Sequence, residues 1–456
     1  MSVIKRKQKD FWVVHLLIVF NLLLALVAFI KDIVLASYFG TSGVADAISL
    51  AFFLPDTFGN NLIGAAIAVS SIPILTKLSL NEDPSLYQDT IKKLGVIVII
   101  GTVILLILLL FLFQPLLQLF NWETQENLTT VFDYFLIMSP IICCAPLWLM
   151  GSSVLQSSRK FIVPAISPIL FNLVLLGTLL WCQWQSIPQT YGGKTFSYAS
   201  TFGTLLCVIV TWTFIFRNQK WKWSFQTFNL KSDFTEVQKV LFTFSSYALI
   251  LFFTQIGLVA ERFFASSLQI GTIAALTYAY RLAQFPLWVF IAAITTFILP
   301  TISFHMRRSD FISLKYVLVR SLLFVIGSSG LISLIFVFFS DQIVRILFLR
   351  GSFNLDSVQL TSEILKGYGL SIIGQSLFVF CTRYYVAQSK MKVPLFIGLV
   401  GSCINICLLF VLVPWVGAGG IGYAVAISSS FSGALLLSHF IKNLLNLVKK
   451  GGTTFE

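Results

Sequence analysis

Gln156-Ser157-Ser158-Arg159-Lys160-Phe161-Ile162-Val163-Pro164 leads into an apolar run that carries Asn172. About 230 residues later, Gln388-Ser389-Lys390-Met391-Lys392-Val393-Pro394 leads into another, carrying Asn405. The offset is about half of the 456-residue chain. A fainter echo surrounds it. Ala36-Ser37, Gly43, Pro55 and Ile72-Pro73 run parallel to Ala265-Ser266, Gly271, Pro286 and Leu299-Pro300. The stronger match is polar as well as apolar, which shared richness in leucine does not produce. The chain therefore reads as two related halves, 1–220 and 221–456.

Outward from these landmarks the sequence is a succession of long apolar runs. A membrane-spanning helix needs about 20 mostly apolar residues. Runs of that kind occupy 11–38, 45–77, 94–120, 128–156, 161–185, 197–216, 237–265, 272–304, 316–340, 359–388, 393–415 and 419–446. The pattern predicts an all-α integral membrane protein of about 12 transmembrane helices, arranged as two six-helix lobes. An even number of helices per half gives both halves the same orientation, so the axis relating them runs along the membrane normal. Composition agrees. The chain is 57% hydrophobic and 11% charged, with a mean hydropathy of +0.90. A water-soluble fold would leave too much of that apolar surface in water. Spanning helices satisfy their own backbone hydrogen bonds, as lipid demands.

The formal charge of +13 raises nucleic-acid binding, and the placement of the charges excludes it. Of the 31 Lys and Arg, 23 fall in the N-terminal tail, alternate loops and the C-terminal region. Only Lys194, Arg345 and Arg350 fall in the opposite loops. By the positive-inside rule both termini are cytoplasmic. Lys5, Arg6, Lys7 and Lys9 precede the first apolar run as in a secretory signal, but Phe11–Tyr38 is too long for a signal core and reads as a retained helix. The seven cysteines lack metal-ligand spacing and read as buried small hydrophobes.

The remaining five cations, Lys31, Arg262, Arg281, Lys366 and Arg383, lie inside apolar runs. A charge at the centre of a spanning helix costs about 3 kcal/mol on insertion scales, so each needs a reason. Lys31 lies about 10 Å from the outer end of its helix, within snorkelling reach of the surface. Its neighbour Asp32 cannot reach so far, which favours an aqueous cavity for the pair. Asp56 lies deeper, and Arg281 lies about 14 Å inside its helix. Asp46 starts the second run, where a cap is the simpler role. Glu261 and Arg262 near the outer end of the seventh run read as a gate or an interface ion pair, and Glu363 and Lys366 as a local i, i+3 pair. The second and eighth runs exceed 30 residues and carry helix-breaking residues near their middles. These are Pro55, Gly59 and Gly64, with Asn60 and Asn61 between, in the first half, and Pro286, after Arg281 and Gln284, in the second. Interrupted segments at matching positions point to a transport site, against the simpler alternative of a proline kink.

A cavity holding Lys31 and Arg281 suits an anion, with Arg able to grip phosphate in two places. Export of negative charge from a negative-inside cell gains about 2.3 kcal/mol per charge per 100 mV. No P-loop, HExxH, GxSxG or acidic metal cluster is present, and no cofactor is implied, so the sequence does not read as an enzyme.

Several stretches resemble one family. Phe29-Ile30-Lys31-Asp32-Ile33-Val34-Leu35-Ala36-Ser37-Tyr38-Phe39-Gly40, Ala45-Asp46-Ala47, Leu54-Pro55-Asp56 and Ile72-Pro73-Ile74-Leu75 come from the first half. Ala279-Tyr280-Arg281-Leu282, Phe285-Pro286 and Leu347-Phe348-Leu349-Arg350-Gly351-Ser352-Phe353 come from the second. Together they are similar to the MurJ (MviN) lipid II flippases of the multidrug/oligosaccharidyl-lipid/polysaccharide exporter superfamily. The resemblance implies two lobes around a central cavity with alternating access, in the bacterial cytoplasmic (inner) membrane. It implies that Lys31, Asp32, Asp46 and Arg281 are functional. The implied cargo is an undecaprenyl-pyrophosphate-linked saccharide, lipid II foremost, with membrane lipids and the cell-envelope synthesis machinery as partners. Membrane potential or a monovalent cation would drive it. The sequence departs from the family at Ala25 and across Thr57-Phe58-Gly59, where the family carries Arg, and at Gly64, where it is acidic. It also ends at twelve helices where many members have two more. Two alternatives stay open: export of another lipid-linked intermediate, of capsule or exopolysaccharide, and ion-coupled multidrug antiport, which Asp32 and Asp56 would suit.

Overall fold

The structure, a computed structural model, describes residues 2–80, 84–119, 125–218, 234–287, 302, 311–388 and 390–452. These residues are almost entirely helical. Eleven segments among them are long and apolar enough to cross a membrane, each matching one of the expected runs. The twelfth, expected over 272–304, is described as helix only over 272–287, with residue 302. The chain is a multi-pass membrane protein.

The helices are α1 (Ser2–Phe39), α2 (Gly43–Pro55), a π-helical segment (Asp56–Gly64), α3 (Ala65–Ser79), α4 (Pro84–Leu119), α5 (Gln125–Met138), α6 (Ile141–Ser157), α7 (Ile162–Trp184) and α8 (Gln189–Asn218). There follow α9 (Thr235–Ser266), α10 (272–287), α11 (Phe311–Phe338), α12 (Ser340–Phe348), α13 (Leu355–Ala387), α14 (Lys392–Val416) and α15 (Ala418–Gly452). Two features were not expected. The run 128–156 is split into α5 and α6 by a turn at Ser139-Pro140, because proline cannot supply the amide that would continue the helix. The short α12 lies between two spanning helices.

The chain divides into two compact units, Met1–Phe252 and Phe253–Glu456. The division falls inside α9, whereas the expected boundary at 220/221 lies outside the described residues. In the first unit α7 packs against α8 and α1, and α6 packs against α8, α3 and the π segment. Val237 and Val240, from the start of α9, join Leu75, Tyr87, Leu94, Met150 and Val154 in its core. In the second unit α15 packs against α13 and α14, and α13 against α11. Its core joins Leu318, Phe380, Tyr384, Ile397, Leu436 and Phe440.

The outward faces are apolar. Ile100, Ile104, Ile107 and Phe111, on one stripe of α4, are all more than half exposed. Such a stripe is stable only against lipid. The same reasoning corrects the reading of the cysteines. Cys182, Cys207 and Cys381 are buried, but Cys403 and Cys407 are exposed on α14. In a membrane an apolar side chain gains nothing by turning inward, so hydrophobicity does not imply burial.

The sequence repeat has a structural counterpart. Lys160 donates its amide to the Leu155 carbonyl at 2.8 Å, and Lys390 donates to Tyr385 at 2.9 Å. Both bonds span five residues, the closure that ends a helix in a tight reversed turn. Donors and acceptors alike are 230 residues apart. In each half the Gln-Ser-basic motif therefore ends one spanning helix before the next begins.

Candidate functional site

α1 presents Lys31 and Asp32. Both are buried, and Lys31 Nζ lies 2.9 Å from Asp32 Oδ1. Neighbouring residues on a helix point about 100° apart, so the long lysine side chain must curl sideways to meet the shorter carboxylate. Neither reaches outward to a surface. The following stretch of α1 is tied to the α7–α8 corner. Gln183 Nε2 donates to Ser37 Oγ at 3.3 Å, and Gln189 Nε2 donates to the Tyr38 carbonyl at 2.9 Å. The pair thus sits on a braced helix, and its mutual neutralisation offsets the cost of burying two charges.

Asp46 is buried in the first turn of α2. The capping bond there comes instead from Ser42, whose Oγ accepts from the Ala45 amide at 3.3 Å. The expected interruption of the second span is real, and its form is a π-helix from Asp56 to Gly64. Pro55 ends α2, and the wider coil follows. A π-helix has about 4.4 residues per turn, so residues four and five ahead flank the starting residue. Asp56 shows this. Asn60 Nδ2 donates to its Oδ1 at 3.2 Å and Asn61 Nδ2 to its Oδ2 at 3.0 Å. In an α-helix the second amide would face away. The glycines serve packing. A Cβ on Gly59 would stand 3.0 Å from the Ile141 carbonyl oxygen, and one on Gly64 would run into Leu149. The π segment therefore lies flush against α6.

In the second unit, Arg281 and Gln284 are half-buried on α10. The helix continues through Pro286 to residue 287, so the described part of the eighth span shows no break at that proline. Gln284 Nε2 donates to Gln375 Oε1 at 3.0 Å, and Gln375 Nε2 donates to Ser371 Oγ at 2.9 Å. This amide chain joins α10 to α13. The Leu347–Phe353 motif packs against α10: Tyr278, Phe348 and Phe353 form a three-ring cluster with centroids 5.6 to 5.9 Å apart. Gly351 allows the turn through a φ of 59°, which other residues adopt with strain.

Glu261 is 3% exposed on α9. Tyr368 OH donates to its Oε2 at 2.6 Å and Asn405 Nδ2 to its Oε1 at 3.2 Å. The neighbouring Arg262, also buried, donates from Nη1 to the Leu258 carbonyl at 3.2 Å. The carboxylate thus ties α9 to α13 and α14. Removing one donor tests this tie. Tyr368→Phe keeps the ring and should cost about 1.5–3 kcal/mol, the usual range for a hydrogen bond to a charged group. Unfolding in detergent would measure it, and an unchanged midpoint would mean that Glu261 is satisfied without Tyr368. Glu363, for its part, accepts from Gln359 Nε2 at 3.1 Å and makes no ion pair with Lys366 among the described residues.

The repeat relates these sites. Aligning Ala36-Ser37 with Ala265-Ser266 places Asp32 at Glu261, each one helical turn before the Ala-Ser pair. Each unit thus buries a carboxylate at the same point of its first helix. In the first unit the adjacent lysine pairs with it, and in the second neutral donors from two other helices bond to it beside Arg262. Sequence reading found Glu261 but not Tyr368, and found Gln284 but not Gln375. Neither partner is charged, and nothing local in the sequence marks a neutral residue that completes a site from another helix.

Among the described residues no cluster of three or more His, Cys, Asp or Glu could hold a metal. Comparison with known proteins bears on the whole arrangement. Solved structures share the fold: one titled lipid II flippase MurJ, inward closed conformation, matches with TM-score 0.77 at 23% identity, covering 96% of this chain and 90% of that one. An inward-facing multidrug resistance MATE family transporter of the MOP superfamily matches with TM-score 0.79 at 11% identity, covering 93% and 96%. At such identities the likeness is one of fold alone. Sequence relatives go further. A probable lipid II flippase MurJ of Thermotoga maritima is 29% identical over 415 residues, covering 88% of this chain and 79% of the relative. One of Rhizobium meliloti is 24% identical over 420 residues, covering 91% and 78%. The profile of the family described as lipid II flippase MurJ matches residues 35–455, nearly the full length, and on that ground the chain belongs to the MurJ lipid II flippase family.

Proposed function

We propose that this protein moves an undecaprenyl-pyrophosphate-linked saccharide, lipid II foremost, from the inner to the outer leaflet of the bacterial cytoplasmic membrane. Transport proceeds by alternating access. The observation that carries the reading is a lysine buried within a membrane span, Lys31, in a chain of this family. Its charge is held ready by Asp32 and can be lent to a pyrophosphate, while Arg281 offers a planar guanidinium suited to a second phosphate contact. No covalent step is required, so the protein acts as a transporter and not as an enzyme. Both termini lie in the cytoplasm, on the side of the basic loops. The membrane potential drives export of the anionic headgroup, with a monovalent cation as the other candidate driver. The cell-envelope synthesis machinery supplies the cargo and consumes it.

A second saccharide remains in view for one reason. Thr57-Phe58-Gly59 stand on the π segment where the family resemblance leads one to expect Arg, and the amides of Asn60 and Asn61 that follow are bonded to Asp56. A less cationic first lobe suits a cargo with fewer charges. Multidrug antiport rests on the fold likeness and on Asp32 and Asp56, both already engaged by neighbours.

Complementation tests the reading. A bacterium depleted of its own lipid II flippase should regain growth on expressing this protein. Arg281→Ala, at equal membrane level, should lower survival at least about ten-fold, the effect of losing about 1.4 kcal/mol of binding to the transported headgroup. Failure of well-expressed wild type would remove lipid II as the cargo in that host and direct the search to capsule or exopolysaccharide intermediates.

A further inference from the structure

On the second unit, α14 and α15 enclose an open groove of about 630 Å³, lined by Lys392, Val393, Phe396 and Ile397 from one helix and Leu435, Ser438, His439 and Lys442 from the other. The α15 residues recur at three- and four-residue spacing, so they form a single stripe. The α14 residues lie on one face of its first two turns. The two helices run antiparallel around the Gly417 turn, which brings Lys392 and Lys442 to the same end of the groove. That end adjoins Lys390 in the basic 388–392 loop. Apolar walls follow: Phe396 and Leu435 are exposed, while Ile397, Leu436 and Phe440 belong to the core beneath.

Among the described residues nothing offsets the two lysines. Neither makes an ion pair among the described residues. The sequences of α11, α14 and α15 contain no Asp or Glu. On α13, Asp356 and Glu363 lie toward the opposite end, with Glu363 about 33 Å along the axis from Tyr385. Tyr385 itself pairs with His439 Nδ1, which fixes the ring and leaves Nε2 outside that bond. The groove is therefore cationic at the basic membrane surface and apolar toward the bilayer interior. An anionic glycerophospholipid has that same distribution, with its phosphate at the surface and its acyl chains below.

We propose that this groove is a binding site for an anionic glycerophospholipid. Lys392 and Lys442 hold the headgroup phosphate, His439 donates to it, and one acyl chain lies between Phe396 and Leu435. The lipid fills the groove between α14 and α15. The site is independent of the cargo and of Lys31 and Arg281.

The test uses delipidated full-length protein titrated with dioleoyl phosphatidylglycerol or dioleoyl phosphatidylcholine and read by native mass spectrometry. Wild type should bind the anionic lipid about thirty-fold more tightly, the contribution expected of two lysines at a membrane surface. K392Q/K442Q should reduce that preference to about three-fold or less, whereas K315Q/R320Q, an equal change of charge on α11, should keep it. Ser438→Trp, which fills the groove and leaves both lysines in place, should weaken binding of the anionic lipid. Equal binding of the two lipids by wild type, or a preference that survives K392Q/K442Q, would overturn the proposal. Displacement of phosphatidylglycerol by equimolar undecaprenyl phosphate would also overturn it, by making the groove part of the cargo's route.

Discussion

Lys31→Met and Asp32→Leu should each abolish transport and destabilise the protein, while the double variant recovers stability without recovering transport. The pair is buried on both sides, with 8% and 12% of the side chains exposed. Removing one member leaves the other charged, in a medium that solvates it poorly. Breaking a buried pair in this way costs about 3–5 kcal/mol, whereas replacing both partners by apolar residues of similar volume is often near neutral. Thermal unfolding in detergent should therefore show two large single-variant losses that do not add. Transport follows a different rule. If the ammonium of Lys31 grips a pyrophosphate, the double variant has lost the grip however well it folds. Complementation by the double variant at wild-type level would make the pair a structural element alone and would move the anion site elsewhere.

Gly374→Leu should prevent the second unit from assembling. A Cβ at Gly374 would lie 2.5 Å from Ser429 C and from Ser430 N. One at Gly367 would lie 2.3 Å from Gly422 C, and one at Gly433 would lie 2.6 Å from the Gly374 carbonyl oxygen. These are backbone atoms, which no rotamer change can move aside. Helices in lipid have no hydrophobic drive toward each other, so their association depends on small residues that allow close approach. Added bulk in a packed core ordinarily costs about 1–3 kcal/mol, and backbone obstruction should exceed that range. The consequence reaches the site, because Gln375 is the next residue and holds Gln284 of α10. Gly327→Leu is the matched control, since nothing lies within 4 Å of the position on α11 where its Cβ would stand. Size-exclusion profiles of the two variants should separate cleanly. A monodisperse Gly374→Leu protein with the wild-type unfolding temperature would contradict the close packing of α13 on α15.

Much of this was legible in the sequence. Spans are legible because lipid forbids unsatisfied backbone, so each crossing must be a long apolar run, and eleven of twelve are described as such. The interruption at 56–64 is legible because proline and paired glycines are costly inside a helix without a reason. Lys31, Asp32 and Glu261 are legible because a charge inside an apolar run stands out from its surroundings. The helix-ending motif at 155–160 and 385–390 is legible because it is repeated.

Other features came only from the folded chain. The break at Ser139-Pro140 resembles any tolerated proline in a spanning helix until its neighbours are known. Which faces are buried could not be read, since both lipid and protein interior accept apolar side chains, and Cys403 and Cys407 turned outward accordingly. The partners of the charges were equally hidden. Tyr368, Asn405 and Gln375 are neutral residues on other helices, and each acquires its role only when α13 and α14 bring it within 3.2 Å of its partner. Sequence by itself determined where the chain crosses the membrane and which residues carry a cost there, because solvation acts on each residue in its own segment. Tertiary structure decided what offsets that cost, because a hydrogen bond or ion pair acts only over contact distance, and Glu261 meets Asn405 across 144 positions of the chain.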